Sequence, residues 1–164
     1  GFDLAWLGAG DRAGSVAANL LVSRALEYVQ QERPDTPAID YVGTISYFGE
    51  GLGSSFPKLR ATLQTQYRIG PLSLFVRGRY IDAQENRANR QFPGETSFTG
   101  VGSVTYWDVG AGWDFLESSQ LRIGVNNAGD KQPPTYAPNV QSGTDPSQYD
   151  VIGRRVFAQV NVRF

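Results

Sequence analysis

The sequence predicts an all-β chain, an antiparallel up-and-down transmembrane β-barrel segment of about seven strands. Three observations predict it. Apolar and polar residues alternate with a two-residue period over several stretches. Those stretches run about 10–14 residues, longer than the usual strand of a soluble domain and close to a tilted bilayer span of about 9–11. The connections between them alternate short and long, as in barrels with tight turns on one rim and long loops on the other.

The elements follow in order. Phe2, Leu4 and Trp6 alternate loosely around Asp3. Residues 15–30 put Val16, Ala18, Leu20, Val22, Leu26 and Tyr28 on one face, with Arg24 as the exception. Their Ala, Leu, Glu and Gln content also suits an amphipathic helix. A strand is preferred because the neighbouring segments are strands and 10–14 reads as a tight turn. The clearest stretch is 58–69, where Leu59, Ala61, Leu63, Tyr67 and Ile69 alternate with Lys58, Arg60, Gln64, Gln66 and Arg68. Gly70-Pro71 breaks it, and Leu72, Leu74, Val76 and Tyr80 then oppose Ser73, Arg77 and Arg79, joined on the polar side by Phe75.

The same period returns further on. Trp107, Val109, Ala111, Trp113 and Phe115 alternate with Tyr106, Asp108, Gly110, Gly112 and Asp114. After a Glu117-Ser118-Ser119 turn, Leu121, Ile123 and Val125 alternate with Gln120, Arg122, Gly124 and Asn126. The last run sets Val156, Ala158, Val160, Val162 and Phe164 against Arg155, Gln159, Asn161 and Arg163, with Phe157 out of pattern. Long polar connections are expected near 31–57, 83–103 and 130–149, and loops of that length usually have a task.

Composition narrows the chemistry. The 164 residues suffice for one ordinary domain. With no His and no Cys, a zinc site on those ligands, a thiol nucleophile and a Ser-His-Asp triad are excluded. Fifteen Lys and Arg against 16 Asp and Glu leave a net charge of -1, unlike the basic patches of nucleic-acid binders. No stretch approaches the ~18 consecutive apolar residues of a membrane helix. Gly1 is not followed by a basic and then an apolar region, so no signal peptide is expected in these residues.

A half-buried soluble sheet also alternates. Strand length, polar residues deep within the strands and aromatics near strand ends (Trp6, Tyr28, Tyr67, Tyr80, Trp107, Phe115, Phe164) favour the membrane reading over a soluble sandwich. On it, Arg60, Arg68, Arg77, Arg79, Asp108, Asp114, Arg122, Asn126, Gln159 and Asn161 are candidates to line a wet lumen. The loop residues Asn86, Asn89, Gln91, Tyr136, Asn139 and Gln141 are candidate solute contacts. Val156, Ala158, Val160, Val162 and Phe164 form the expected lipid face.

The C-terminal third also carries Leu121-Arg122-Ile123-Gly124-Val125-Asn126-Asn127, then Asp130-Lys131-Gln132-Pro133-Pro134, then Tyr149-Asp150-Val151-Ile152-Gly153-Arg154-Arg155. With Pro57-Lys58-Leu59-Arg60 and Arg77-Gly78-Arg79-Tyr80-Ile81-Asp82, these stretches resemble the closing strands of TonB-dependent outer-membrane receptors. The match is good over 58–164 and looser over 1–57. It departs at Ala128-Gly129, where the family commonly has an apolar-aromatic pair. The resemblance implies the last seven strands of a barrel of about 22, with the plug domain absent from this chain. It also implies that Val156 to Phe164 act as an outer-membrane assembly signal.

The implied function is an active-transport receptor of the bacterial outer membrane, whose wall and loops serve energy-coupled uptake of a scarce solute such as an iron chelate or a carbohydrate. Implied partners are the remaining barrel strands and plug, an inner-membrane energy-coupling protein, outer-membrane lipid, the solute and a surface lipoprotein. No cofactor, metal site or catalytic residue is expected, and no nucleic acid. The alternative is a complete eight-stranded outer-membrane barrel with a structural or adhesive role, whose extra strand would be Tyr41 to Phe48. An outer-membrane hydrolase would need Asp-Asp or Ser-Lys chemistry in place of His.

Overall fold

A computed structural model of the chain describes residues 2–3, 14–31, 33–45, 55–91, 93–94, 97–136 and 143–162. The strands are β1 (Phe2–Asp3), β2 (Ser15–Arg24), β3 (Val29–Gln30), β4 (Ile39–Asp40), β5 (Thr44–Ile45), β6 (Ser55–Phe56) and β7 (Leu59–Ile69). They continue with β8 (Leu72–Ile81), β9 (Gln84–Asn86), a short helix α1 (Arg87–Gln91), β10 (Gly100–Val101), β11 (Val104–Leu116), β12 (Ser119–Asn126) and β13 (Arg155–Val162).

The long strands build one antiparallel sheet in the order β1-β2-β7-β8-β11-β12-β13. Two tight hairpins set its register. Gly70 takes φ 53°, a left-handed turn conformation that glycine adopts without steric cost, and joins β7 to β8. Glu117-Ser118 joins β11 to β12. Because the period is two, each register row then carries one face throughout. One row runs Ile69, Leu72, Trp113, Leu121, Val160; another runs Gln64, Arg77, Asp108.

The long connections are not bare loops. They hold a four-stranded sheet, β10-β9-β5-β6, in which β5 and β9 run parallel, and the β3-β4 pair. The buried apolar core lies where these short elements fold over one end of the large sheet. Ile81, Val104 and Tyr106 come from the large sheet and Ile45, Val101, Tyr136 and Tyr149 from the connections, with Phe98 packed against them. A polar chain threads this core: Ser55 donates to Gln84 (2.8 Å), whose amide donates to the Tyr149 hydroxyl (2.8 Å). Burial, with Tyr136 and Tyr106 nearby, pushes the Tyr149 phenol up to about 12 against the opposing effect of Gln84 and Ser55. The Arg87 guanidinium is buried 4.1 Å over the Tyr41 ring and donates to Thr44.

The large sheet is open, and this corrects the barrel expectation. Its outer strands β1 and β13 each have one partner, and among the described residues no ladder joins them. Neither a share of a ring of about 22 strands nor an eight-stranded ring complete in this chain is formed. Alternation reports the face that a side chain takes; it does not report whether the two ends of a ladder meet, so the inference from period to closure was unsafe. Of the proposed extra strand at Tyr41 to Phe48, only Thr44 and Ile45 are strand among the described residues, and they pair with β6 and β9 in the small sheet.

The readings that rested on closure go with it. They are the TonB-dependent receptor resemblance, the outer-membrane location, the solute-uptake function and its alternative. The partners read from them go too: remaining barrel strands, plug, energy-coupling protein, outer-membrane lipid, transported solute and surface lipoprotein. Among the described residues no helix is long and apolar enough to cross a membrane.

The motif stretches still have a local physical role. Asn127 and Asp130 both take φ 49° in a tight turn, with the Asn127 side chain bonded to both backbone groups of Lys131. Asp130 then accepts from the Arg154 backbone N–H (3.0 Å). The turn after β12 is thereby clasped to the start of β13.

Candidate binding groove

The ten lumen candidates share one face, because register forces them there. Arg60 and Arg68 belong to β7, Arg77 and Arg79 to β8, Asp108 and Asp114 to β11, Arg122 and Asn126 to β12, and Gln159 and Asn161 to β13, all on the polar side. The structure sorts nine of them into three neighbourhoods and leaves Arg79 outside all three. Arg77, Asp108, Arg122, Asn126 and Gln159 line an open groove of about 590 Å³ across the middle of the face. Arg68, Asp114 and Asn161 line a cleft at the tight-turn end. Arg60 lines a third, beside Tyr28 and Phe56.

The groove owes its shape to glycine. On the polar face β11 offers Gly110 and Gly112, and β12 offers Gly124, so the centre of the sheet carries a trough without side chains. The Phe75 ring lies over Gly110 and the Phe157 ring over Gly124, where an added Cβ would meet Phe157 at 2.7 Å. Aromatic rings commonly cover strand glycines in this way. The two rings form the floor, 6.3 Å apart between centroids and tilted by 31°. From the other side Arg122 leans across Gly112 until its guanidinium stands 5.6 Å over the Phe75 ring.

The rim divides into committed and uncommitted groups. Asp108 is fully buried and committed: Arg77 donates to it at 2.7 Å, Arg79 stands at 3.5 Å and the Asn127 backbone N–H donates at 2.8 Å. Burial alone would raise its pKa, but the Asn127 hydrogen bond and the two guanidiniums outweigh it and hold the carboxyl below the usual range. Arg79 also reaches Asp150 (3.9 Å), which binds Arg155 (3.0 Å), so alternating charges run from β8 to β13. By contrast Asn19, Gln64, Gln66, Asn126 and Arg122 make no side-chain hydrogen bond or ion pair within the described residues, while Gln159 donates to Asn161.

The loop candidates fall elsewhere. Asn86 is buried, donates to the Phe98 carbonyl and accepts from Ala88 at the start of α1. Tyr136 is buried, stacked on Phe98. Asn89 stands beside Glu85 at 3.5 Å. Asn139, Gln141 and the side chain of Gln91 lie outside the described residues. Val156, Ala158, Val160 and Val162 share the opposite, apolar face and are exposed there, and Phe164 lies outside the described residues. Trp107 on that face covers Gly78, the counterpart of the two phenyl rings.

Sequence reasoning did not assign Asn19, Gln64, Gln66, Phe75 or Phe157 to a site. A signal for the last two was present: they are the two aromatics that break the alternation. Among the described residues no three acidic side chains come together as metal ligands. Compared with known proteins, the chain matches no family model, no curated protein and no solved structure.

Proposed function

We propose that this chain is a non-catalytic recognition module that binds a small polar solute on the polar face of its sheet. One observation carries the reading: a glycine trough floored by two phenyl rings is rimmed by the amides of Asn19, Gln64, Gln66 and Asn126 and the Arg122 guanidinium, which have no hydrogen-bond partner among the described residues. An aromatic floor with a few convergent polar groups is the usual make-up of a ligand site. Hydrogen-bonding groups left without internal partners are free to recognise a ligand. Binding is favoured over chemistry because the one carboxylate in the groove, Asp108, is consumed by Arg77, Arg79 and Asn127 and is not available as a general base.

The test titrates glucose, benzoate and benzyl alcohol into the isotope-labelled full chain and follows backbone amide shifts. Shifts gathered at Gln64, Gln66, Gly110, Gly112 and Gly124 are expected with at least one of these probes. No shifts with any probe, or shifts centred on Leu74, Val109 and Val156 of the opposite face, would overturn the proposal.

A further inference from the structure

We infer that the groove is selective for an organic carboxylate, with Arg122 as the residue that grips it and Phe157 as the surface for its apolar part. The inference rests on the binding role proposed above and names the ligand class. Three observations carry it.

The first is charge. Among the groove-lining residues Arg77 and Arg122 are cationic and Asp108 is anionic. Asp108 is already shared between Arg77 and Arg79, so its charge is spent within the sheet. The positive charge of Arg122 is left unbalanced, and an anion entering the groove meets an attractive field.

The second is preorganisation. Gly112 stands opposite Arg122 in the register, and the position of its missing Cβ lies 3.7 Å from the Arg122 Cγ. The Ser73 hydroxyl takes most of that space at 2.6 Å, and the arginine stem passes over β11 beside it in van der Waals contact, where a side chain on Gly112 would crowd it. The Phe75 ring then holds the guanidinium from below. A planar fork already drawn over a ring has less freedom to lose when it binds a planar carboxylate through two parallel hydrogen bonds.

The third is the second ring. Phe75 is covered by Arg122, whereas no cation among the described residues stands over Phe157. Phe157 sits across from Gly124, two register rows from the pair Arg122 and Gln159 and therefore on the same face. A ligand whose carboxylate meets Arg122 therefore brings its apolar body over Phe157.

Benzoate and benzyl alcohol share a ring and differ in charge, so they separate the terms. Binding of each is measured by calorimetry on the full-length chain, with Arg122→Gln, Arg122→Lys and Phe157→Leu as variants. Thermal melts of each variant confirm that it folds. Benzoate is expected to bind at least tenfold more tightly than benzyl alcohol. Its affinity should fall at least tenfold in Arg122→Gln and several-fold in Arg122→Lys, which keeps the charge and loses the fork. Added salt should weaken it, and Phe157→Leu should weaken both probes together. Equal binding of the two probes, or benzoate binding unchanged in folded Arg122→Gln, would overturn the carboxylate inference while leaving the polar-solute role standing. Inorganic phosphate binding as tightly as benzoate would also overturn it, since the ring would then add nothing. Failure of every probe, glucose included, to perturb the groove removes the recognition role itself.

Discussion

Gly110→Ala offers a test in which local propensity and packing predict opposite signs. Within a strand, replacing glycine by alanine normally stabilises by roughly 0.5–1 kcal/mol, because glycine has more backbone freedom to lose on folding. Here the new Cβ would run into the Phe75 ring and stand 2.5 Å from the Ile123 carbonyl oxygen. The ring can swing away, but the carbonyl belongs to the β11-β12 ladder and moves only with the strand. Overpacking of this kind costs roughly 1–3 kcal/mol, leaving a net loss of about 0–2.5 kcal/mol.

For a chain of this length each kcal/mol corresponds to about 2–4 °C in melting temperature, so the variant should melt up to about 10 °C lower than the parent. Gly102→Ala is the matched control, since nothing lies within 4 Å of its missing Cβ. Calorimetric melts of parent, variant and control measure the difference. A Gly110→Ala chain as stable as the control, or more stable than the parent, would show that Phe75 does not rest in the trough.

Three further outcomes are expected. Asp108→Asn should lose about 2–3 kcal/mol in urea unfolding, less than a fully buried pair would because Arg77 and Arg79 are partly exposed and can rehydrate. Since the native Asp108 carboxyl titrates below its ordinary 3.8, its contribution is present above that value and disappears as pH falls through the lowered one. The gap between parent and variant should therefore narrow in acid, and a constant gap would refute the assignment. Tyr149 is the opposite case: its neutral form is favoured in the folded chain, so its contribution is complete below pH 10 and lost as pH rises through about 12. Tyr80, bonded to Asp82, and the buried Tyr106 are raised as well, so tyrosinate absorbance should show a late fraction that includes Tyr149 until the chain unfolds, and simultaneous titration of all tyrosines would refute this. Val160→Lys should change stability by no more than about 0.5 kcal/mol, since Val160 is 60% exposed; a larger loss in thermal melts would show that its side chain is covered.

The parts of this molecule that repeat were readable from the residues, and the parts that do not repeat were not. The long strands announce themselves because a two-residue period held over ten positions fits an extended chain and not a helix. Register then places Arg60 through Asn161 on one face without further information. Strands of two or three residues carry no period. Thus Ser55-Phe56 and Gly100-Val101 read as loop, and Thr44-Ile45 as strand only within the eight-stranded alternative, although all three frame the core that contains Ile45 and Tyr149. Residues 15–30 illustrate the boundary: the strand ends at Arg24, the residue that breaks the apolar series, and resumes only at Val29-Gln30. The groove was half legible. Its charged rim followed from alternation, while its floor depended on phenyl rings and glycines meeting across strands, a relation that spans up to 82 positions between Phe75 and Phe157; locally each ring shows only as a break in the alternation, with nothing to say what it meets.

Among the described residues β13 has one ladder partner, and this has a consequence for how the chain breathes. In an antiparallel ladder every second amide points to the same neighbour. Along Arg155–Val162 half the N–H groups are thus held by β12, and the other half look out from the rim. In heavy water these amides should pick up deuterium in a strict fast-slow rhythm, while β8, flanked by β7 and β11, exchanges slowly along its whole length.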